Sequence, residues 1–296
     1  MSVLRRRVST AVLVVVAVLL ALIMALVAGC SPPAATAPPG TGPAEAVPLP
    51  AGVVRPPAGG YFPVPTAVGT FSTLPDDAGA AAMVHRSPWE PRPENDAANR
   101  TVAPPDFRPP PYPGLENGPL VFDRITGNFT GTTDEIIQWA AAKWGLPDDM
   151  IRAEAVQESG WFQNHKEPDG QPIDQQGFGD FGDCGGSPIG SPYGPDGPAS
   201  FGIMQVKWCT LNDPTAPGTG GWPWTENSTA WTLDTYGAVV RACYEGWEPW
   251  LGPAYRAGDL WGCVGRWNSG AWHDPVAERY IRGVQEQLQA KPWLGW

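Results

Sequence analysis

The sequence predicts a mainly helical domain, and three observations carry that prediction. Helix start and stop signals occur in matched pairs between residues 132 and 160, an apolar repeat of four runs from Val276 to Leu288, and no series of alternating strands competes with them. Taken in order, Thr132-Thr133-Asp134-Glu135 is a capping-box pattern ahead of Ile136 and Ile137, and Gly145 closes that helix. Pro147 opens a second helix, with Asp148 and Asp149 favourable at its positive end, and Gly160 closes it. Thr232 to Glu245 is a third helix. Pro275 opens a fourth, with Val276, Tyr280, Val284 and Leu288 on one face. Long loops rich in Gly, Pro and Asp are expected at about 163–200 and 212–230.

The first thirty residues read as an export signal. Arg5, Arg6 and Arg7 precede an uncharged run, Val8 to Ala28, which stops at small residues. Val27-Ala28-Gly29-Cys30 resembles the bacterial lipobox, which implies lipidation of Cys30 and an extracytoplasmic, membrane-anchored protein. An uncleaved anchor is the rival, because about 21 apolar residues span roughly 30 Å as a helix; plain secretion is the third reading.

From Ser31 to Leu115 there are 21 prolines in 85 residues and no sustained period, so residues 31–115 read as a disordered Pro-rich linker. The alternative is that Tyr61 to Phe71 docks on the domain as an edge strand. Beyond Glu116 lie fourteen of the fifteen tryptophans and four of the five cysteines, so the folded domain is expected over 116–296. It holds 23 acidic and 11 basic residues, net −12, of a chain total of −11. That balance argues against nucleic acid as a partner, since polyanion binding needs clustered Lys and Arg. Nothing in the sequence suggests an oligomer, and a monomer is expected.

Outside the cytoplasm Cys184, Cys209, Cys243 and Cys263 are expected to form disulfides. Three pairings are possible, and loop closure favours Cys184–Cys209 with Cys243–Cys263. Zinc is the weaker alternative, because no Cys-x-x-Cys spacing occurs. Asp169, Asp174, Asp180 and Asp183 do not follow the spacing of a calcium loop. No metal or cofactor is expected.

Glu158 ends the second helix, in Ala155-Val156-Gln157-Glu158-Ser159-Gly160-Trp161-Phe162. A carboxyl set against aromatic groups keeps its proton near neutral pH and can give it to a leaving oxygen, as cleavage of a glycosidic bond requires. Glu158-Ser159-Gly160, Ser200-Phe201-Gly202-Ile203-Met204-Gln205-Val206, Arg266-Trp267-Asn268-Ser269-Gly270 and Glu278-Arg279-Tyr280-Ile281 resemble, in that order, the motifs of soluble-lytic-transglycosylase-like domains of the lysozyme-like superfamily. The resemblance spans about residues 133–290.

It implies a lysozyme-like helical fold and cleavage of the β-1,4 bond between N-acetylmuramic acid and N-acetylglucosamine in peptidoglycan glycan strands. It also implies formation of 1,6-anhydromuramic ends rather than addition of water. Glu158 is the expected catalytic carboxyl, with Ser159 orienting it. Gln205 and the Met204 backbone are expected to line the saccharide groove, Asn268 to contact substrate, and the Tyr280 hydroxyl to approach Glu158. Three departures stand out: Trp267 occupies a position usually held by tyrosine, 44 positions separate Glu158 from Gly202, and the segment around Tyr280 is tighter than usual.

A lysozyme-type hydrolase is the nearest alternative and needs a second carboxylate, for which Asp174 is the candidate. A non-catalytic glycan-binding lipoprotein is the alternative from another class. Among the tryptophans, Trp222, Trp224, Trp247, Trp250, Trp261 and Trp272 are candidates for stacking on sugar rings, two or three of them at most.

Overall fold

A computed structural model describes residues 54–57, 59–182, 191–208 and 221–296. Cys30, Asp183, Cys184, Cys209 and the expected export signal lie outside these residues. The chain is mainly helical, with nine α-helices among the described residues. Four are short: α1 (Asp77–Ala82), α2 (Asp96–Asn99), α3 (Gly118–Phe122) and α6 (Trp224–Asn227). The longer ones are α4 (Thr133–Trp144), α5 (Asp148–Ser159), α7 (Thr229–Glu245), α8 (Leu260–Ser269) and α9 (Pro275–Ala290). Three two-residue strands, β1 (Phe178–Gly179), β2 (Ser200–Phe201) and β3 (Val206–Lys207), pair antiparallel in that order.

The capping signals act as written. Thr132 and Glu135 exchange side-chain to backbone hydrogen bonds at the start of α4, and Gly145 (φ 62°) and Gly160 (φ 60°) end α4 and α5 in the left-handed conformation. Helix α7 starts at Thr229 rather than Thr232, because the Ser228 hydroxyl accepts the Trp231 N–H and caps it earlier. Helix α8 was not anticipated: Asp259 caps it through Gly262 N–H, and Arg266–Ser269 form its last turn. In α9 the buried residues are Ala277, Tyr280, Ile281 and Val284, while Val276 is exposed.

Helix α7 is buried over its whole length, with α4, α6 and α8 against it and α9 bridging α5 and α8. It carries charges into the core only where each is paired. Asp234 accepts from Lys143 Nζ (2.7 Å), Trp144 Nε1 (2.7 Å) and the Gly127 N–H (2.9 Å). Arg241 pairs with Glu245 and donates to the Thr66 and Ala67 carbonyls (2.8 and 2.9 Å), and Glu245 accepts the Gly69 N–H at 2.6 Å. A buried charge without such partners is strongly destabilising.

Those last contacts correct the linker reading for the described residues from 54 to 115; residues 31–53 lie outside the described residues. From Val54 onward the described residues belong to one compact unit, Gly52–Trp296, so the domain begins well before Glu116. The Tyr61 and Phe62 N–H groups donate to Asp148 (3.0 and 2.9 Å), the Thr66 N–H to the Gly145 carbonyl (2.9 Å), and the Glu116 N–H to the Trp247 carbonyl (2.9 Å). Phe71 and Trp89 are buried in the main core, and Phe107 and Tyr112 pack against it. Residues 61–71 thus dock without pairing as a strand. Proline lacks an N–H, so an extended Pro-rich belt needs few hydrogen bonds of its own, and its aromatic residues supply the anchoring.

Cys243 and Cys263 form a disulfide that joins α7 to α8 across a sequence separation of 20. Removing the crosslink of a loop this long should lower unfolding free energy by about 3 kcal/mol. Urea denaturation with and without reductant checks this as a fall in the midpoint.

Candidate active site

Glu158 is positioned by the way α5 ends. Gly160 turns the chain, Trp161 (φ 71°) follows in the left-handed region, and its indole donates to the Arg152 carbonyl at 2.9 Å. Trp161 is completely buried, so the last turn of α5 cannot fray without opening the core. Gln163 then acts as a buried clip. Its amide donates to the Thr225 and Glu226 carbonyls (2.9 and 3.0 Å) and accepts the Ile203 N–H (3.0 Å), which brings the 202–205 turn to the end of α5. Gly202 (φ 81°) is required there: a Cβ would lie 2.6 Å from the Thr225 carbonyl oxygen.

Glu158 stands in a cleft of about 920 Å³. Its lining includes the small sheet and its turn, with Gly179, Asp180, Ser200, Gln205 and Lys207, and the end of α8, with Trp267 and Asn268. Gly179 lets Gln205 approach, since a Cβ would lie 2.2 Å from the Gln205 Oε1. Gln205 also donates to the Gly202 carbonyl at 2.9 Å. Asp180 and Gln205 both have positive φ (53° and 51°), so backbone strain is held at two lining positions.

The Tyr280 hydroxyl contacts Glu158 Oε1 and lies 3.2 Å from Glu154 Oε1. Burial, reinforced by the negative charge of Asp180, pushes the Glu158 carboxyl up to about 8, against the opposing hydrogen bond from Tyr280. A carboxylic acid in that state is protonated at neutral pH and faces an open cleft, the condition for a general acid. Asp180 accepts from Ser200 Oγ (2.5 Å) and Lys207 Nζ (2.8 Å), which hold it beside the cleft.

Of the residues singled out in the sequence, Glu158, Gln205, Asn268 and Tyr280 line this one cleft. Ser159 does not: it is 2% exposed, and its hydroxyl donates to the Ile203 carbonyl (2.9 Å), tying α5 to the 202–205 turn behind the cleft. Met204 is also excluded from the surface, and its carbonyl accepts the Trp267 indole N–H at 3.1 Å, so its contact orients Trp267. Trp267 leans edge-on against Tyr236, with ring centroids 5.1 Å apart.

Asp174 is exposed and lies outside the cleft lining; Asp180 is the other carboxylate in the lining with Glu158. Among the candidate stacking residues only Trp250 lines the cleft, whereas Trp222 packs with Phe201 and Trp208, and Trp247 against Phe71.

Several site residues were not found in the sequence. Tyr112 and Pro113 reach the cleft from the Pro-rich belt, where no period marks them. Arg266 lies 5.4 Å from the Tyr112 ring and 5.1 Å from the Trp250 ring, and its charge is matched by Glu248 through bonds of 2.7 and 2.6 Å. Glu154 had one legible signal, a carboxyl among alanines one helical turn before Glu158. No family model, curated protein or solved structure matches the chain.

Proposed function

We propose that this chain is a peptidoglycan lytic transglycosylase with a lysozyme-like domain, cleaving the β-1,4 bond between N-acetylmuramic acid and N-acetylglucosamine. The observation that carries this reading is the Glu158 carboxyl, raised by its burial, lining an open cleft beside a tyrosine hydroxyl, with Gln205 and Asn268 in the same lining. Glu158 gives its proton to the glycosidic oxygen, and the bond to C1 breaks. The carboxylate so formed takes the proton of the sugar's own 6-hydroxyl as O6 bonds to C1. Glu158 thereby regains its proton, and the product ends in a 1,6-anhydro ring.

The exposed indole of Trp250 and the Asn268 amide suit pyranose rings, which present apolar faces and polar edges. We place the domain outside the cytoplasm, held at the membrane through Cys30 or the preceding apolar run. Among the described residues no helix is long and apolar enough to cross a membrane, and the candidate anchor precedes them.

A second reading, hydrolysis, is favoured by one observation: Asp180 lines the cleft and raises the Glu158 carboxyl through its charge. A second carboxylate can hold the attacking water or stabilise the oxocarbenium ion. Mass spectrometry of the products released from isolated peptidoglycan tests both. Anhydro ends, still formed by Asp180→Asn, are the expected result. Reducing ends that disappear in Asp180→Asn would replace transglycosylation with hydrolysis. Binding without products would reduce the site to a glycan-binding groove.

A further inference from the structure

We infer that Glu154 is a positioning residue that aims the proton of Glu158 into the cleft through Tyr280, an inference that rests on Glu158 being the acid. The two carboxyls sit one turn apart on α5, and the Tyr280 hydroxyl contacts Oε1 of each. The other oxygen of Glu154, Oε2, accepts the hydroxyl of Tyr236 from α7. Glu154 is completely buried, and among the described residues no cation is bonded to it. The polar groups facing it are Tyr236 on α7, Tyr280 on α9 and Glu158 on its own helix.

Counting hydrogens gives the direction. Tyr280 has one hydrogen for two carboxyl contacts, so one contact must be made by a hydrogen from a carboxyl. If Glu154 supplies it, the chain runs Tyr236 to Glu154, Glu154 to Tyr280 and Tyr280 to Glu158 Oε1, each hydroxyl donating one step onward. The proton of Glu158, a residue of the cleft lining, is then left on Oε2, the oxygen that Tyr280 does not contact. If Glu158 supplies it, its proton is spent inward on Tyr280 and Tyr280 donates to Glu154; with Tyr236 donating to its other oxygen, Glu154 then has both oxygens accepting and is the charged partner.

The first arrangement is favoured because it leaves no charge at the fully buried site. Burial pushes the Glu154 carboxyl up, against the opposing hydrogen bonds from Tyr236 and Tyr280, in agreement with it staying neutral. Glutamine at 154 can reproduce the arrangement, with its oxygen toward Tyr236 and its N–H toward Tyr280; methionine fills the same space with neither.

The test uses the full-length protein and isolated peptidoglycan. Glu154→Met should lower kcat about tenfold with KM unchanged, the effect of losing one hydrogen bond to an ionisable group, and Glu154→Gln should recover most of that loss. Tyr236→Phe, which unpins Oε2 of Glu154, should lower kcat in the same direction and keeps the test open if Glu154→Met fails to fold.

A readout independent of turnover is the infrared carbonyl band of protonated Glu158, identified by its absence in Glu158→Gln. It should move in Glu154→Met, where the carbonyl loses its enforced donor, and stay in place in Glu154→Gln. Wild-type kcat in folded Glu154→Met, or equal impairment of folded Met and Gln variants, overturns the inference. If the wild-type protein releases no product from any glycan, the proposed function fails. The infrared comparison then decides the inference alone: an unmoved band in Glu154→Met overturns it.

Discussion

Glu158→Gln is expected to lower release of soluble peptidoglycan products by roughly a thousandfold while glycan binding survives. The amide keeps the size of the side chain and can still meet the Tyr280 hydroxyl, but it has no proton to give the leaving oxygen. The wild-type pH profile should carry the same signature. With the Glu158 carboxyl raised to about 8, kcat/KM should be limited on the alkaline side by loss of that proton, falling tenfold per pH unit above about 8.

The stability consequence has a definite sign. Between the ordinary carboxyl value of 4.5 and about 8, the folded state binds more protons than the unfolded state, so Glu158 makes stability fall as pH rises through that window. Glu158→Gln removes this contribution, and its melting temperature should change less between pH 5 and 8 than that of the wild type. Product release by Glu158→Gln at the wild-type rate would end the assignment of Glu158 as the acid.

Arg152→Met should cost about 3–5 kcal/mol of folding stability, because it leaves buried carboxylates without their cation. The guanidinium is completely buried and donates to Asp134 (2.7 Å), Asp148 (2.6 Å) and Asp149 (2.9 Å). Burial alone works against its charge, but Asp134 and Asp148 outweigh that and keep it protonated.

Asp148 is itself set by opposing effects. Burial raises its carboxyl, while Arg152 and the Phe62 and Tyr61 N–H groups hold it below its ordinary value. With methionine at 152, Asp134 and Asp148 lose their cation while Asp149 keeps Lys291, and the belt from Gly60 to Phe62 loses the charge that orders its acceptors. Chemical denaturation should show the drop, whereas Arg256→Ala, an exposed arginine bonded among the described residues to nearby carbonyls, should stay within about 0.5 kcal/mol of wild type. Equal midpoints for the two variants would contradict this account.

How much of this was legible in the sequence depends on the range of the interactions. The ends of α4 and α5 follow from local chemistry: Thr132 and Glu135 satisfy N–H groups a few positions away, and Gly145 and Gly160 adopt a conformation that other residues resist. Glu158 at the end of α5, and the ordered motifs around Gln205, Asn268 and Tyr280, could be picked out for the same reason, since each sits in a short recognisable segment. Helix α8 was missed because Gly262, Gly265 and Asn268 weaken its propensity, and it is held by packing on α7 and α9 and by the Cys243–Cys263 disulfide.

The sequence by itself determined the helical class, the helix that carries Glu158 and the kind of chemistry a carboxyl there can perform, because capping and periodicity act within a few residues. Only the tertiary structure decided that the Pro-rich belt is part of the domain, that Asp180 rather than Asp174 shares the cleft lining with Glu158, that Ser159 and Met204 work behind the cleft, and that Glu154 shares Tyr280 with Glu158. Each of these rests on hydrogen bonds, burial or charge between segments distant in the chain, or on side-chain directions that no local pattern encodes.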